Sequence, residues 1–164
     1  MMDDRQHDTG PPPTTEDVQR AAEQFVNGLT TTFGLEAAVS STVEDQEIDV
    51  RVDGTSLGLL IGPGGRTLLA IQDLARVAAQ RRLGDHETRL RIDVAGYREK
   101  RRAALERFAT TVAEQVRSTG VARALDPMPS ADRKVIHDAL AELDGVSSRS
   151  EGEDPDRRIV VAPS

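Results

Sequence analysis

The chain has 164 residues, no cysteine and a formal net charge of −7. The lack of cysteine excludes disulfides and thiolate metal sites, and no apolar stretch approaches the roughly 20 residues that a membrane-spanning helix needs. Because hydrophobic residues make up 37% of the chain and aromatic residues only 2%, its core must consist mainly of Leu, Val, Ile and Ala, in one domain or two small ones.

The N-terminal segment, residues 1–15, is predicted to form a disordered tail, because it contains three consecutive prolines and few apolar side chains. A helix is predicted over about residues 16–33, with Thr15 as its N-cap and Gly34 after its end. Its inward side chains recur at helical spacing, and they are Val18, Ala22, Phe25, Val26 and Leu29.

Two strands with period-two alternation follow, over about residues 35–43 and 48–53, joined by a turn at residues 44–46. Such alternation predicts that one face of each strand is buried and the other is wet or covered by a helix. The side chains predicted to share one face are Leu35, Ala37, Val39, Ser41 and Val43 in the first strand, and Ile48, Val50 and Val52 in the second.

A short helix is predicted over residues 57–61, a longer helix over about residues 66–83, and a third strand with Leu90, Ile92 and Val94 on one side. The inward side chains predicted for the longer helix are Leu68, Ile71, Leu74, Ala75 and Ala78. The resulting order of helix, strand, strand, helix, helix and strand describes a complete α+β unit over residues 16–95.

The loop between these two helices reads Gly62-Pro63-Gly64-Gly65 and is followed by Arg66. It matches the G-x-x-G loop with which KH modules clamp about four nucleotides of single-stranded nucleic acid. The following helix begins with unpaired amides and a partial positive charge, and the glycines let a phosphate approach the backbone closely. Proline has no amide to donate, so phosphate contact is predicted to depend on the two glycines after it and on Arg66.

The bases are expected in an adjacent apolar groove lined by Leu60, Ile61 and side chains of the third strand. For an isolated G-x-x-G match, a plain helix–turn–helix corner is the alternative interpretation. The context favours nucleic acid, because residues 60–102 carry 10 basic and 5 acidic side chains, whereas residues 1–59 carry 3 and 12. Salt screens distant charges beyond about 8 Å, so the acidic total does not exclude an anionic ligand.

Gly96 marks a predicted domain boundary, and a long helix is predicted over about residues 97–118. The side chains predicted to line its buried face are Leu105, Phe108, Ala109, Val112 and Val116. Beyond it, a short strand near residues 121–125 and a helix over about residues 131–143 precede two strands, at residues 146–150 and 158–162. These elements predict a second, smaller α+β unit over residues 96–164 with a three-stranded sheet.

Arg133 and His137 lie four residues apart on the second of these helices and therefore share a face, with Lys134 beside them. A guanidinium can fork onto a phosphate, and an imidazole can donate a hydrogen bond or stack on a base. A solvated helix face is the alternative interpretation for this pair.

At the start of the long helix, Arg98, Arg101 and Arg102 are predicted to extend a path of phosphate contacts, and a solvated helix turn is the alternative. The acidic turn at residues 151–155 is interpreted as structural, holding Arg157 or Arg158 or an amide of the turn. A metal site in that turn is the less favoured interpretation.

Five segments of the second half occur in a specific order: Tyr97-Arg98-Glu99-Lys100-Arg101, Leu125-Asp126-Pro127-Met128, Asp132-Arg133-Lys134-Val135-Ile136-His137, Ser150-Glu151-Gly152-Glu153-Asp154-Pro155 and Arg158-Ile159-Val160-Val161. This series resembles the Arg-x-x-x-His (R-three-H) domain of the bacterial Jag family, whose members are also called SpoIIIJ-associated or KhpB-like proteins. That family joins a KH domain to this domain, and the first unit resembles a type II KH fold. The resemblance implies that Arg133 and His137 are the signature pair of the second domain.

The resemblance also implies a cytoplasmic RNA-binding protein that is linked with a small KH-only partner and with control of cell elongation and division. Many members carry an additional N-terminal domain, where this chain has only the short tail. We expect a non-catalytic binder of single-stranded RNA with no cofactor, no metal and no membrane insertion, and homo-oligomerisation stays open.

A nuclease is disfavoured, because the chain has only three histidines, His7, His86 and His137. It also contains no metalloprotease, P-loop or nucleophile-elbow motif. A protein-interaction adaptor with weak or lost nucleic-acid binding is the alternative function. Tyr97 is the predicted stacking surface, and the scarcity of other aromatic side chains predicts modest affinity per nucleotide.

Overall fold

The computed structural model describes residues 13–81, 84 and 87–164. Most of the predicted tail, residues 1–12, lies outside the described residues. The chain divides into two compact units, with the division between Ala95 and Gly96. Within the described ranges, no helix has both the length and the apolar character needed to cross a bilayer.

The first unit follows the order helix, strand, strand, helix, helix and strand, which confirms the predicted α+β order. Its elements are α1 (Thr15–Thr32), β1 (Ala37–Glu44), β2 (Glu47–Gly54), α2 (Gly58–Ile61), α3 (Arg66–Arg76) and β3 (Arg89–Val94). A short 3-10 turn, Pro63–Gly65, joins α2 to α3. A π-helical turn, Val77–Arg81, continues α3 toward β3.

The three strands form one sheet in the order β1-β2-β3, in which β1 and β2 are antiparallel and β2 and β3 are parallel. Alternate side chains of β2 and β3 enter the core because successive residues of a strand point to opposite faces. Helices α1 and α3 pack against the sheet. The core side chains of this unit include Val18, Ala22, Val26, Ile48, Val50, Val52, Leu68, Ile71, Leu90, Ile92 and Val94.

Helix α1 begins one residue earlier than predicted, because Thr14 and not Thr15 is its N-cap. The Asp17 amide donates to the Thr14 hydroxyl at 3.2 Å, and the Thr14 amide donates to the Asp17 carboxylate at 3.0 Å. This reciprocal pair is a capping box, which satisfies amides that the first turn leaves without helical partners. The hydrogen bonds from Thr14 hold the pKa of Asp17 below its usual value.

The predicted inward face of α3 was wrong at Leu74, whose side chain is 56% exposed. Gln72 is buried instead, and its Oε1 accepts a hydrogen bond from the Ile92 amide at 3.1 Å. A polar side chain is stable at this inward position because it makes a hydrogen bond to the edge of β3. Hydrophobicity alone therefore predicted burial for the wrong side chain of α3.

The second unit contains α4 (Tyr97–Thr119), β4 (Arg123–Ala124), α5 (Ser130–Ala141), β5 (Val146–Glu151) and β6 (Arg158–Pro163). The strands form an antiparallel sheet in the order β4-β6-β5, which confirms the predicted three-stranded sheet. Phe108 was wrongly predicted to be buried and is exposed. The core of this unit consists of Leu105, Ala109, Val112, Ala113, Val116, Leu125, Ile136, Leu140, Val146, Ile159 and Val161.

Candidate nucleic-acid interface

The loop between α2 and α3 has glycine at three positions with positive φ, namely Gly62, Gly64 and Gly65. Gly62 has φ 68° and ψ 178°, and a Cβ there would overlap the side chain of Thr67. Gly64, at the exposed tip, has φ 60° and ψ 20°, and a Cβ there would meet no atom within 4 Å. The first glycine is therefore required by close packing, whereas the second leaves open space above the backbone.

Two amides of the loop are engaged within the turn itself. The Gly65 amide donates to the Gly62 carbonyl at 3.2 Å, and the Arg66 amide donates to the Pro63 carbonyl. Phosphate contact is therefore expected to concentrate at Gly64 and at the exposed side chain of Arg66, where α3 begins. Among the described residues, Arg66 has no carboxylate partner, and the positive end of the helix dipole adds to its charge.

The apolar groove predicted beside the loop was wrong in most of its lining. Leu60, Leu90 and Ile92 are buried in the core, so they offer no open surface to a base. Helix α2 is a single turn, and it directs Leu60 inward while Leu59, with 60% of its surface exposed, remains outside. Ile61 is half-buried.

Two side chains of α3 hydrogen-bond the outer edge of β3, which sequence reasoning missed. Gln72 accepts from the Ile92 amide, and Arg76 Nη2 donates to the Leu90 carbonyl at 3.4 Å. Both side chains come from one helix face, because they lie four residues apart. That spacing, with two polar side chains on the sheet-facing flank of a helix, was the available signal.

Arg133, the first member of the Arg-x-x-x-His pair, has a side chain that is only 7% exposed. Its Nη1 donates to the Met128 carbonyl at 2.8 Å and to Asp154 Oδ1 at 2.7 Å, and its Nη2 lies 3.4 Å from Asp154 Oδ2. The hydrogen bond from Arg133 holds the pKa of Asp154 below its usual value. The acidic turn therefore holds Arg133 through its carboxylate, which corrects the expected partners Arg157 and Arg158.

His137 contacts the neighbouring strand rather than an ionic group. Its Nδ1 lies 2.7 Å from Ser148 Oγ, and its Nε2 lies 3.0 Å from Ser150 Oγ. The two serines are alternate residues of β5 and so face the same side. The structure thus directs both Arg133 and His137 toward the β5–β6 hairpin, while the serines were missed although their period-two spacing was visible in the sequence.

The other predicted phosphate contacts in this unit differ in accessibility. Arg101 donates twice to Asp132 Oδ2, from Nε at 3.2 Å and from Nη2 at 2.8 Å, and this bonding raises the pKa of Arg101. Asp132 is buried at the start of α5, so Arg101 ties α4 to α5. Burial raises the pKa of Tyr97, whose ring is half-buried nearby, and Arg98 is half-buried as well.

Arg102 and Lys134 are the exposed members of the predicted set. Arg102 pairs with Glu106 at 2.9 Å, and Lys134 pairs with Asp138 at 2.6 Å. Each pair spans four residues of one helix, and such exposed pairs contribute only about 0.3–0.5 kcal/mol. These two cations can therefore exchange a carboxylate for a phosphate at little cost.

Comparison with known proteins divides the chain at the same place as its structure. Residues 19–95 match the KH domain of the KhpA/KhpB type, and residues 103–163 match the R-three-H domain. The chain is 40% identical over 147 residues to the RNA-binding protein KhpB of Lactiplantibacillus plantarum, which covers 90% of this chain and 45% of that protein.

Two further relatives carry the same name. The chain is 32% identical to the RNA-binding protein KhpB of Clostridium symbiosum, with 90% of this chain and 67% of that protein covered. It is 35% identical to the RNA-binding protein KhpB of Bacillus subtilis, with 74% and 60% covered. The chain thus spans about half to two thirds of the length of these relatives.

Proposed function

The chain belongs to the KhpB family, also called the Jag family, and we propose that it binds single-stranded RNA without catalysing a reaction on it. The observation that carries this proposal is the exposed Gly64 tip beside the exposed Arg66 at the start of α3. A backbone without a Cβ, a helix N-terminus and an accessible guanidinium at one point together favour a phosphate group.

The second unit is proposed to add contacts rather than chemistry. Arg133, His137, Arg98, Arg101, Arg102 and Lys134 remain the candidate contacts of that unit, and among them Arg102 and Lys134 have the most exposed side chains, at 66% and 75%. Within the described ranges, no three or more His, Asp and Glu side chains are grouped so as to hold a metal ion. We expect RNA to be bound and released unchanged.

Membership of the family supports a more specific role. We propose a cytoplasmic post-transcriptional regulator linked to cell elongation and division, and we expect a small KH-only protein as a partner and a homo-oligomer as the alternative assembly. Crosslinking to cellular RNA followed by sequencing would identify the bound transcripts. A bound set indistinguishable from total RNA would contradict a regulatory role.

RNA binding itself is tested by fluorescence anisotropy with a labelled single-stranded oligonucleotide at several salt concentrations. We expect log K to fall linearly with log salt, with a slope of about −0.7 for each neutralised phosphate. A duplex of the same sequence is the control, and we expect it to bind more weakly. Equal binding to both, or no binding at low salt, would contradict the proposal.

A protein-interaction adaptor is the second candidate, and one observation favours it. Four of the predicted contacts of the second unit, Arg101, Arg102, Arg133 and Lys134, already pair with carboxylates. If these pairs persist in solution, the unit offers little free positive charge to RNA. If the whole chain binds no RNA but captures a partner protein, that result would favour the adaptor function.

A further inference from the structure

The ion pair between Arg133 and Asp154 joins two side chains with very different exposure. The Arg133 side chain is 7% exposed, whereas that of Asp154 is 63% exposed. The carboxylate therefore lies over the guanidinium on its solvent side. If this carboxylate were withdrawn, the fork of Arg133 would face the surrounding solution.

The guanidinium keeps a second anchor that does not depend on the carboxylate. Arg133 Nη1 also donates to the Met128 carbonyl at 2.8 Å. Withdrawal of Asp154 would therefore leave the arginine held in place, with donors that point toward the vacated side. A phosphate presents two oxygens to such a fork in nearly the same arrangement as a carboxylate does.

The exchange of carboxylate for phosphate is chemically balanced, because one anion replaces another on the same cation. Asp154 is already largely solvated and lies in a turn between β5 and β6, so it can return to water without exposing apolar surface. The cost of the exchange is small, because the carboxylate of the pair is 63% exposed and a phosphate replaces it on the guanidinium.

We propose that Asp154 occupies, in the free protein, the position that an RNA phosphate takes on Arg133, so that RNA must displace this carboxylate to engage the second unit. The inference rests on the proposed function, since it names an internal competitor for the same ligand. Asp154 thereby lowers the affinity for RNA while it stabilises the turn. Stability and affinity should consequently respond in opposite directions when it is changed.

The test compares Asp154→Asn with Glu153→Gln in the full chain, using a labelled single-stranded oligouridylate. Both substitutions remove one negative charge from the same turn, but the structure shows Arg133 bonded to Asp154 and not to Glu153. We expect Asp154→Asn to bind RNA about three- to fivefold more tightly, as the loss of one ion pair with a solvent-exposed carboxylate implies. We expect Glu153→Gln to change affinity by less than about twofold, because its charge acts only through screened solvent.

A double variant identifies the group for which Asp154 competes. In an Arg133→Met background, Asp154→Asn should no longer tighten binding. Equal affinities of Asp154→Asn and Glu153→Gln, or a gain that persists without Arg133, would overturn the inference while RNA binding by the unmodified chain still stood. Absence of binding by the unmodified chain would instead contradict the proposed function.

A measurement on the unmodified chain avoids any variant that fails to fold. The carboxyl-carbon NMR signals of Asp154 and Glu153 are followed with pH, in the presence and absence of the oligouridylate. We expect RNA to raise the pKa of Asp154 toward its ordinary value, because the bond from Arg133 is lost. Equal shifts at both positions, or no shift at Asp154, would overturn the inference.

Discussion

Replacement of Arg133 by methionine should destabilise the second unit more than the same replacement of its exposed neighbour Lys134. Methionine keeps an unbranched aliphatic stem in the buried position but removes the donors to the Met128 carbonyl and to Asp154. Because only one partner of the ion pair is replaced, the gain observed when whole buried pairs become apolar does not apply. The hydrogen-bonding groups that lose their partner therefore make the change in the free energy of unfolding a destabilisation.

The magnitude follows from the contacts of the guanidinium. The charge-assisted bond to the Met128 carbonyl contributes about 1.5 kcal/mol, and leaving that half-buried carbonyl without its partner adds about 0.5–1 kcal/mol. The bond to the solvent-exposed Asp154 carboxylate adds a smaller contribution, which solvent screens. The expected loss in the free energy of unfolding is about 2 kcal/mol for Arg133→Met. Arg133→Ala should lose about 1.6 kcal/mol more, because two buried methylenes are also removed.

The assay is urea unfolding followed by tyrosine fluorescence. Tyr97 is the single tyrosine of the chain, tryptophan is absent, and Tyr97 is the first residue of α4, so the signal reports on the second unit. Lys134→Met is the matched control, since its side chain is 75% exposed and its pair with Asp138 is of the weak surface kind. The control should change stability by less than about 0.5 kcal/mol. Equal losses in the two methionine variants would refute a role of the guanidinium in holding the turn.

Three further predictions concern the loop and the acidic turn. Gly62→Ala should destabilise the first unit by about 2–3 kcal/mol, because the φ of Gly62 is positive and a Cβ there would overlap Thr67. Gly28→Ala, in the interior of α1 where a Cβ meets no atom within 4 Å, should instead stabilise this unit by about 0.5–1 kcal/mol. Both changes are measured by urea unfolding followed by circular dichroism. Gly64→Asp should weaken RNA binding about five- to thirtyfold, as an added negative charge near a phosphate implies. Gly64→Asn has the same shape and requires the same backbone conformation, so its affinity should stay within about twofold of that of the unmodified chain. Equal losses of affinity in the two variants would attribute the effect to the backbone and not to charge. Arg133 lowers the pKa of Asp154 in the folded chain, so this carboxylate stabilises the fold fully above its unfolded pKa of about 3.9 and loses that effect as the pH falls through the folded value. Asp154→Asn should therefore make the free energy of unfolding depend less on pH below about pH 4. An unchanged dependence on pH in that range would contradict the cause assigned to the shift.

The fold was predictable because its two periodicities are strong. Ile48, Val50 and Val52 alternate strictly, and such alternation admits one orientation of a strand against a core. Ser41 was placed on the inward face of β1 by the same rule although it is polar. The structure supports that position with side chains of α1, since Gln19 Nε2 donates to the Ser41 hydroxyl at 2.8 Å and this hydroxyl donates to Glu23 at 3.0 Å.

The errors arose where hydrophobicity and position on a helix disagreed. Leu74 and Phe108 are apolar, yet each lies at the flank of its helix and remains exposed. Gln72 is polar, yet it belongs to the buried stripe of α3 and hydrogen-bonds the edge of β3. A pattern of residue types cannot show that the Ile92 amide lies within reach of this helix position, because that amide belongs to another element. Burial at these positions is decided by tertiary hydrogen bonding.

The site residues were harder to predict because their partners are distant in sequence. Lys134 and Asp138 are four residues apart, and a helix makes their pairing readable. Arg133 and Asp154 are separated by 21 positions and Arg101 and Asp132 by 31, so only the folded chain brings them together.

The count of basic side chains around the loop consequently overstates the positive charge that RNA can use. In an acidic chain a cation can pair with a carboxylate of its own protein, as Arg76, Arg91 and Arg101 do. Affinity for a polyanion then depends on two quantities. One is the number of cations that remain unpaired, such as Arg66 within the described part of the chain, and the other is the ease with which a phosphate displaces an internal carboxylate. The second quantity is set by the exposure of that carboxylate, because a solvated carboxylate is released at low cost and a buried one is not. By this criterion, we expect RNA to displace the exposed partners of Arg102, Lys134 and Arg133, whereas we expect Asp132, buried against Arg101, to keep its cation.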